Sequence, residues 1–224
     1  MDNVADNISE LAPEPPDPDR VLNDLAGIGP TIYEALEDAA ISARGFFDAR
    51  GEGVEPYHFA SHVRYDARQY LVRRGHNVDF ELGDLPNNGL MLTYSRYCIR
   101  IRKSDEGDVP IPGASTVLQR FYHQLSLRFG NAQLSKPINL LILWDVLKPS
   151  YALAGDLLLV YPTGGAITRD SVTYSWMVSL PHPAASRPVQ PPVPGAEDLA
   201  VTDVDDLDMR LSTEDTELDR DHSG

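Results

Sequence analysis

The stretch INLLILWDV, residues 138–146, most constrains the fold, because apolar residues fall on both of its alternating faces. Successive side chains of a β-strand point to opposite faces of the sheet. A strand without a polar face must therefore be covered on both sides, as central strands are. The run is also about half the length that a membrane-spanning helix needs. We predict a central, buried strand here.

The apolar periodicity elsewhere predicts the remaining elements and their order. Spacings of three and four residues predict two helices ahead of the first strands, and a third helix that has Ser115 as its N-cap. Short apolar or alternating runs between turn residues predict strands. The order of helix, helix, three strands, helix and three strands gives an α+β fold with a mostly antiparallel sheet and helices packed on it. The predicted helices are 30–50, 56–74 and 115–129, and the other strands are 78–82, 89–94, 97–103, 156–162 and 172–180.

The segment LAGIGPTIYEAL, residues 25–36, allows two interpretations. In a helix-hairpin-helix, a Gly-Ile-Gly-Pro turn presents backbone N–H groups to a DNA phosphate. In a plain helix start, Gly29 is the N-cap and Pro30 takes the first helical position, where its missing N–H costs nothing. The helical apolar pattern runs on without a break, and its first turns are acidic. We therefore favour the plain helix start.

Composition divides the chain into three parts. Both ends are rich in acidic residues and proline, and they cannot bury enough apolar surface to offset the loss of chain entropy. We predict a disordered acidic N-terminal tail over 1–19, a single globular domain over 20–183, and a proline-rich linker with a disordered acidic tail over 184–224. The net charge of −15 is uneven, since residues 57–180 carry 13 basic and 10 acidic residues.

The features that would mark a membrane, metal or cofactor protein are missing from the sequence. The N-terminus has no apolar signal segment, and the single cysteine, Cys98, excludes an internal disulfide. His58 and His62 have the i, i+4 spacing of zinc ligands on a helix, but no third ligand accompanies them. We expect a cytoplasmic protein with no cofactor, no bound metal and no membrane association.

The element order also resembles, distantly, the core of the restriction-endonuclease-like nucleases. Those enzymes bind a divalent metal with an Asp and with an (Asp/Glu)-x-Lys pair on an adjacent strand. Asp79 and Glu81 share one face of the first predicted strand, and Lys103 ends the third. Ile101 stands where the acid of the pair should be. We expect no catalytic residues; a nuclease of this type would use Asp79, Glu81 and Lys103.

The segment RYCIRIRK, residues 96–103, carries the strongest binding signal. Strand alternation places Arg96, Arg100 and Arg102 on the outward face, with successive outward residues about 6.7 Å apart. A row of guanidinium groups suits phosphates or a carboxylate-rich surface. The alternative is a solvated edge strand whose charges prevent pairing with other chains.

Four motifs, LPNNGL, YCIRIRKSDEGDVPIPGAS, RFYHQ and NLLILWDV, together resemble an uncharacterised family of actinobacterial type. The resemblance covers roughly residues 48–183. It implies an origin in phage-derived or mobile regions that encode helix-turn-helix repressors and ImmA-like zinc peptidases. It implies no activity, so no catalytic residue is carried over.

Together these features predict a non-catalytic, cytoplasmic regulatory or protein-interaction protein, which on the resemblance belongs to a mobile-element repressor–peptidase module. Its partner is expected to be a protein. The alternative is a nucleic-acid-binding protein with a degenerate endonuclease-like core, whose binding should weaken steeply with salt. The acidic tail, which has apolar residues spaced along it, either covers the arginine row weakly or stays a free, solubilising segment.

Overall fold

The computed structural model describes residues 14–51, 53–74, 79–83, 85, 89–125, 137–166, 168 and 172–183. The helices are α1 (Pro18–Leu25), α2 (Gly29–Arg50), α3 (Pro56–Arg74) and α4 (Thr116–Tyr122). The strands are β1 (Glu81–Leu82), β2 (Leu90–Tyr94), β3 (Tyr97–Lys103), β4 (Ile138–Trp144), β5 (Val146–Leu147), β6 (Ala152–Leu153), β7 (Leu157–Gly164) and β8 (Thr173–Leu180). None of the described helices is long and apolar enough to cross a membrane. The predicted tail disorder at 1–13 and 184–224, and the docking of the acidic tail, fall outside the described residues.

Six strands form one sheet in the order β1-β2-β3-β4-β7-β8. Four of its five strand pairs are antiparallel, and the β3–β4 pair is parallel, with Tyr97 opposite Ile138 and Lys103 opposite Trp144. A parallel pair needs a long crossover, and the segment that contains α4 supplies it. The predicted α+β class with a mostly antiparallel sheet is therefore confirmed.

The β4 strand lies inside the sheet and is covered on both faces, as its sequence predicts. Leu140, Ile142 and Trp144 face the core formed with α1, α2 and α3. Leu141 and Leu143 face a second, smaller core on the other side, which α4 covers with Phe121 and Tyr122; all of these side chains are buried. Among the described elements, the sheet thus lies between α1, α2 and α3 on one face and α4 on the other.

Helix α1 was not predicted, since its residues 18 and 19 fall within the segment expected to be disordered. The Asp17 side chain caps it by accepting hydrogen bonds from the Asp19 and Arg20 amides, at 2.8 and 3.3 Å. Pro18 takes the first helical position. Val21 and Leu25 then bury its inner face. The helix spans only about two turns and begins inside a proline-rich, acidic stretch, so composition misled the prediction.

The Gly-Ile-Gly turn joins α1 to α2 and packs against the sheet. A Cβ on Gly27 would come 2.8 Å from the Tyr94 hydroxyl oxygen, and one on Gly29 would lie 3.8 Å from a Leu180 methyl. The α2 helix begins at Gly29 with Ile28 in the cap position, one residue earlier than predicted. The glycine at position 27 thus has a packing reason: it allows a close approach to Tyr94.

Three further differences concern the second half of the chain. The β5–β6 hairpin was not predicted, because its strands are two residues each. The described helix α4 has the predicted cap at Ser115 but ends at Tyr122. Along β8 only part of the predicted face is buried, since Tyr174 is 45% exposed. A shift in the β7–β8 register around Pro162 accounts for this, because it turns the start of β8 relative to its end.

Candidate anion-binding site

Basic side chains from two elements converge on a cavity of about 250 Å³ at the C-terminal end of β3. Arg100, Arg102 and Lys103 come from β3, and Arg64 comes from the middle of α3. The start of β2 forms another wall, since Leu90 pairs with Ile101 in the register. We call this cavity the cationic pocket and define it by Arg64, Arg100, Arg102 and Lys103.

Strand alternation explains why two of these arginines share one face. Tyr97, Ile99 and Ile101 face the larger helical core, so Arg100 and Arg102 face the α4 side. Both arginines are only partly exposed there, because Arg100 lies between Met91 and Leu141 in the strand register, and both of these residues are buried. The predicted outward row is therefore largely covered, rather than fully solvated.

Arg102 is held in place by its neighbours. Its Nη1 donates hydrogen bonds to the Ile111 carbonyl at 3.0 Å and to the Tyr122 hydroxyl oxygen at 3.1 Å. The Tyr122 hydroxyl in turn donates to the Pro110 carbonyl. Burial raises the pKa of Tyr122, so this phenol stays neutral at physiological pH and supplies no counter-charge.

Arg64 and Arg100 lack such partners. Within the described parts of the chain, neither guanidinium makes a hydrogen bond or an ion pair. Burial, together with the nearby charge of Arg102, lowers the pKa of Arg100 to about 10. Burial also lowers the pKa of Arg64, and Arg102 again adds to the effect. The charge of Arg102 thus acts against the charge of each of the other two arginines, which are both partly buried.

Lys103 closes one end of the pocket and is already paired. Its Nζ lies 2.5 Å from Asp105 Oδ1 and 3.5 Å from Asp145 Oδ1. On this side a second cavity, of about 320 Å³, is lined by Arg102, Lys103, Asp105 and Asp108 among others. The uncompensated positive charge is therefore concentrated on the arginines, and carboxylates border it beyond Lys103.

Arg96, the third member of the predicted row, lies elsewhere. It is in the turn before β3, and its Nη2 is 3.1 Å from Asp24 Oδ2 and 3.0 Å from the Tyr97 hydroxyl oxygen. Tyr97 also donates to the same Asp24 oxygen at 2.5 Å. Arg96 thus ties the turn to α1, and the row expected from alternation reduces to Arg100 and Arg102.

The residues that a nuclease would use do not meet at one place. Asp79 is exposed just ahead of β1, and Glu81 lies on β1, two strands away from β3. Through the register, Glu81 is level with Thr93 and Cys98, which places Lys103 about 17 Å further along the sheet. Among the described residues, no group of three or more His, Cys, Asp or Glu side chains could hold a metal ion.

The two histidines of the i, i+4 pair and the single cysteine each have neighbours that account for their positions. The His62 ring lies 4.3 Å from the Phe46 ring, and His58 Nδ1 lies 3.7 Å from Glu55 Oε2. Cys98 is buried in the smaller core. Burial raises the pKa of its thiol to about 12, which outweighs the opposite influence of Arg100. The thiol is therefore neutral at physiological pH and is a poor nucleophile.

Arg64 is the residue of the pocket that sequence reasoning missed. Nothing in its local sequence separates it from the other arginines of α3, at positions 68, 73 and 74. Its role depends on how α3 packs relative to the end of β3.

No protein-family model, curated protein or solved structure is similar enough to this chain to count as a match.

Proposed function

We propose that this protein is a non-catalytic interaction protein that binds an acidic segment of a protein partner in the cationic pocket. The observation that supports this most is the state of Arg100. Its guanidinium is partly buried beside a second arginine, and it lacks a carboxylate among the described residues. A charge in this state costs folding free energy, and an anion supplied by a partner would offset that cost.

The distribution of charge favours a protein partner over a nucleic acid. A duplex is bound through many phosphates along its length, which calls for a continuous basic surface. Here the pocket is small, at about 250 Å³, and Asp105, Asp108 and Asp145 lie next to its Lys103 end. Those carboxylates would repel a phosphate backbone that ran past the pocket. A single acidic side chain could enter without meeting them.

The alternative function is that of a nucleic-acid-binding protein with a degenerate endonuclease-like core. The strand order β1-β2-β3-β4, with β3 and β4 parallel and α4 in the crossover, favours this alternative in topology. The separation of Glu81 from Lys103 described above argues against this alternative. For the cellular setting we keep the proposal of a cytoplasmic protein in a mobile-element repressor–peptidase module, which rests on the sequence resemblance.

A binding experiment with three variants tests the proposed function. A fluorescent oligoglutamate and duplex DNA of equal net charge are titrated with wild type, Arg64→Met, Arg100→Met and Arg44→Met, at two salt concentrations. Arg44 is a matched control, because it is paired with Asp48 at 2.8 Å on α2, outside the pocket. We expect Arg64→Met and Arg100→Met to weaken oligoglutamate binding at least about tenfold, since each removes a partly desolvated charge contact.

The control and the DNA arm distinguish the alternatives. Arg44→Met should bind oligoglutamate like wild type. If DNA bound more tightly than oligoglutamate, with a steep loss at higher salt, the nucleic-acid function would replace the one proposed. Equal binding by Arg100→Met and wild type would show that the pocket is not the docking site.

A further inference from the structure

We infer that the group bound in the cationic pocket is a phosphate monoester, carried by a phosphorylated side chain of the protein partner. This inference rests on the proposed function and names the chemistry of the group that is bound.

The positive charge of the pocket is larger than one carboxylate can neutralise. Arg64, Arg100 and Arg102 line the same cavity, and two of them have no counter-ion among the described residues. A carboxylate brings one negative charge. A phosphate monoester carries about 1.5 to 2 negative charges at pH 7. The dianion therefore matches the pocket more closely.

The donor count points in the same direction. A guanidinium has five N–H donors. Arg102 uses its Nη1 for Ile111 and Tyr122, which leaves its other donors available, while Arg64 and Arg100 make no bonds within the described residues. A carboxylate offers two acceptor oxygens, and a phosphate monoester offers three strong ones. Arginine is also the side chain best matched to bidentate contacts with phosphate oxygens.

The size of the cavity and the fixed position of Arg102 suit one phosphate group. At about 250 Å³ it lies below the range of about 300–1,000 Å³ that is typical of pockets for whole small molecules. Arg102 is positioned in advance by β3 and by the Tyr122–Pro110 hydrogen bond, so little side-chain freedom remains to be lost there on binding. The pocket therefore suits the end of a side chain rather than a whole nucleotide.

The test uses three otherwise identical peptides that contain one phosphoserine, one glutamate or one serine in a neutral sequence. Their affinities for the full-length protein are measured by titration calorimetry with wild type, Arg100→Met, Arg100→Lys and Arg44→Met. We expect the phosphoserine peptide to bind wild type about tenfold more tightly than the glutamate peptide, as one extra charge-assisted hydrogen bond would allow. Arg100→Met should remove this preference, Arg100→Lys should reduce it, and Arg44→Met should keep it.

The other outcomes distinguish a failure of this inference alone from a failure of both proposals. Equal binding of the phosphoserine and glutamate peptides, with both dependent on Arg100, would overturn the inference and leave the proposed function standing. Thermal stabilisation by inorganic phosphate that depends on Arg100, without binding of any peptide, would overturn the protein partner and so both proposals. Binding that is the same for all three peptides would also overturn both.

Discussion

Leu141→Ala should lower the free energy of unfolding by about 2–5 kcal/mol. Leu141 is fully buried at the centre of β4, where it packs in the smaller core with Phe121 and Tyr122 from α4. Truncation removes apolar burial and leaves a cavity between two rigid layers, which can collapse only in part. Urea unfolding followed by tryptophan fluorescence and circular dichroism measures the loss.

The matched control for this change is Leu147→Ala. Leu147 is 56% exposed in the β5–β6 hairpin, so its truncation should change the unfolding free energy by less than about 0.5 kcal/mol. Similar losses for the two variants would mean that β4 is not the central strand of the sheet. The assignment of two cores on either side of β4 would then be wrong.

Gln124→Leu should be destabilising by about 3 kcal/mol or more. The buried Gln124 amide nitrogen donates to the carbonyls of Asn139 at 2.9 Å and Pro162 at 2.7 Å, and its oxygen accepts from the Asn139 amide at 2.9 Å. Leucine is of comparable size but removes all three hydrogen bonds. Each buried backbone group left unsatisfied costs about 1–3 kcal/mol, so the added apolar burial cannot offset the loss.

Gln69→Leu is the control for this second variant. Gln69 is exposed on α3, and its side chain makes no hydrogen bond within the described residues. The unfolding midpoint of Gln69→Leu should stay close to that of wild type. If Gln124→Leu lost no more unfolding free energy than Gln69→Leu, solvent would already satisfy the backbone groups of Asn139 and Pro162. This result would also mean that α4 is joined less firmly to β4 and β7 than the hydrogen bonds indicate.

Strands with a clear two-residue period could be predicted closely from sequence. The predicted 97–103 strand agrees with β3 at both ends, and the apolar run at 138–146 contains β4. Both follow from local rules, since alternation and a two-sided apolar run have few other solutions. Short elements escaped the prediction because tertiary contacts define them. Helix α1 is held by Val21 and Leu25 against the core, and β5 and β6 by each other.

The placement of the arginines on the sheet was predicted in part. Alternation correctly paired Arg100 with Arg102 on one face, because that depends on the strand alone. It misplaced Arg96, which precedes the strand and is drawn towards Asp24 on α1. It gave no sign of Arg64, which reaches the pocket through the packing of α3. Contacts between residues far apart in sequence cannot be read from the periodicity of either segment.

The proposed function requires that Arg100 be kept for binding at some cost to stability. The decisive measurement is the unfolding free energy of Arg100→Met beside its affinity for an anionic peptide. Methionine has a similar length and no charge to desolvate, so we expect the variant to be more stable by about 1–3 kcal/mol and to lose anion binding. Arg44→Met, which breaks an exposed pair, should lose less than about 1 kcal/mol and bind normally. An Arg100→Met variant that is destabilised by several kcal/mol, or that binds the peptide as wild type does, would contradict the account.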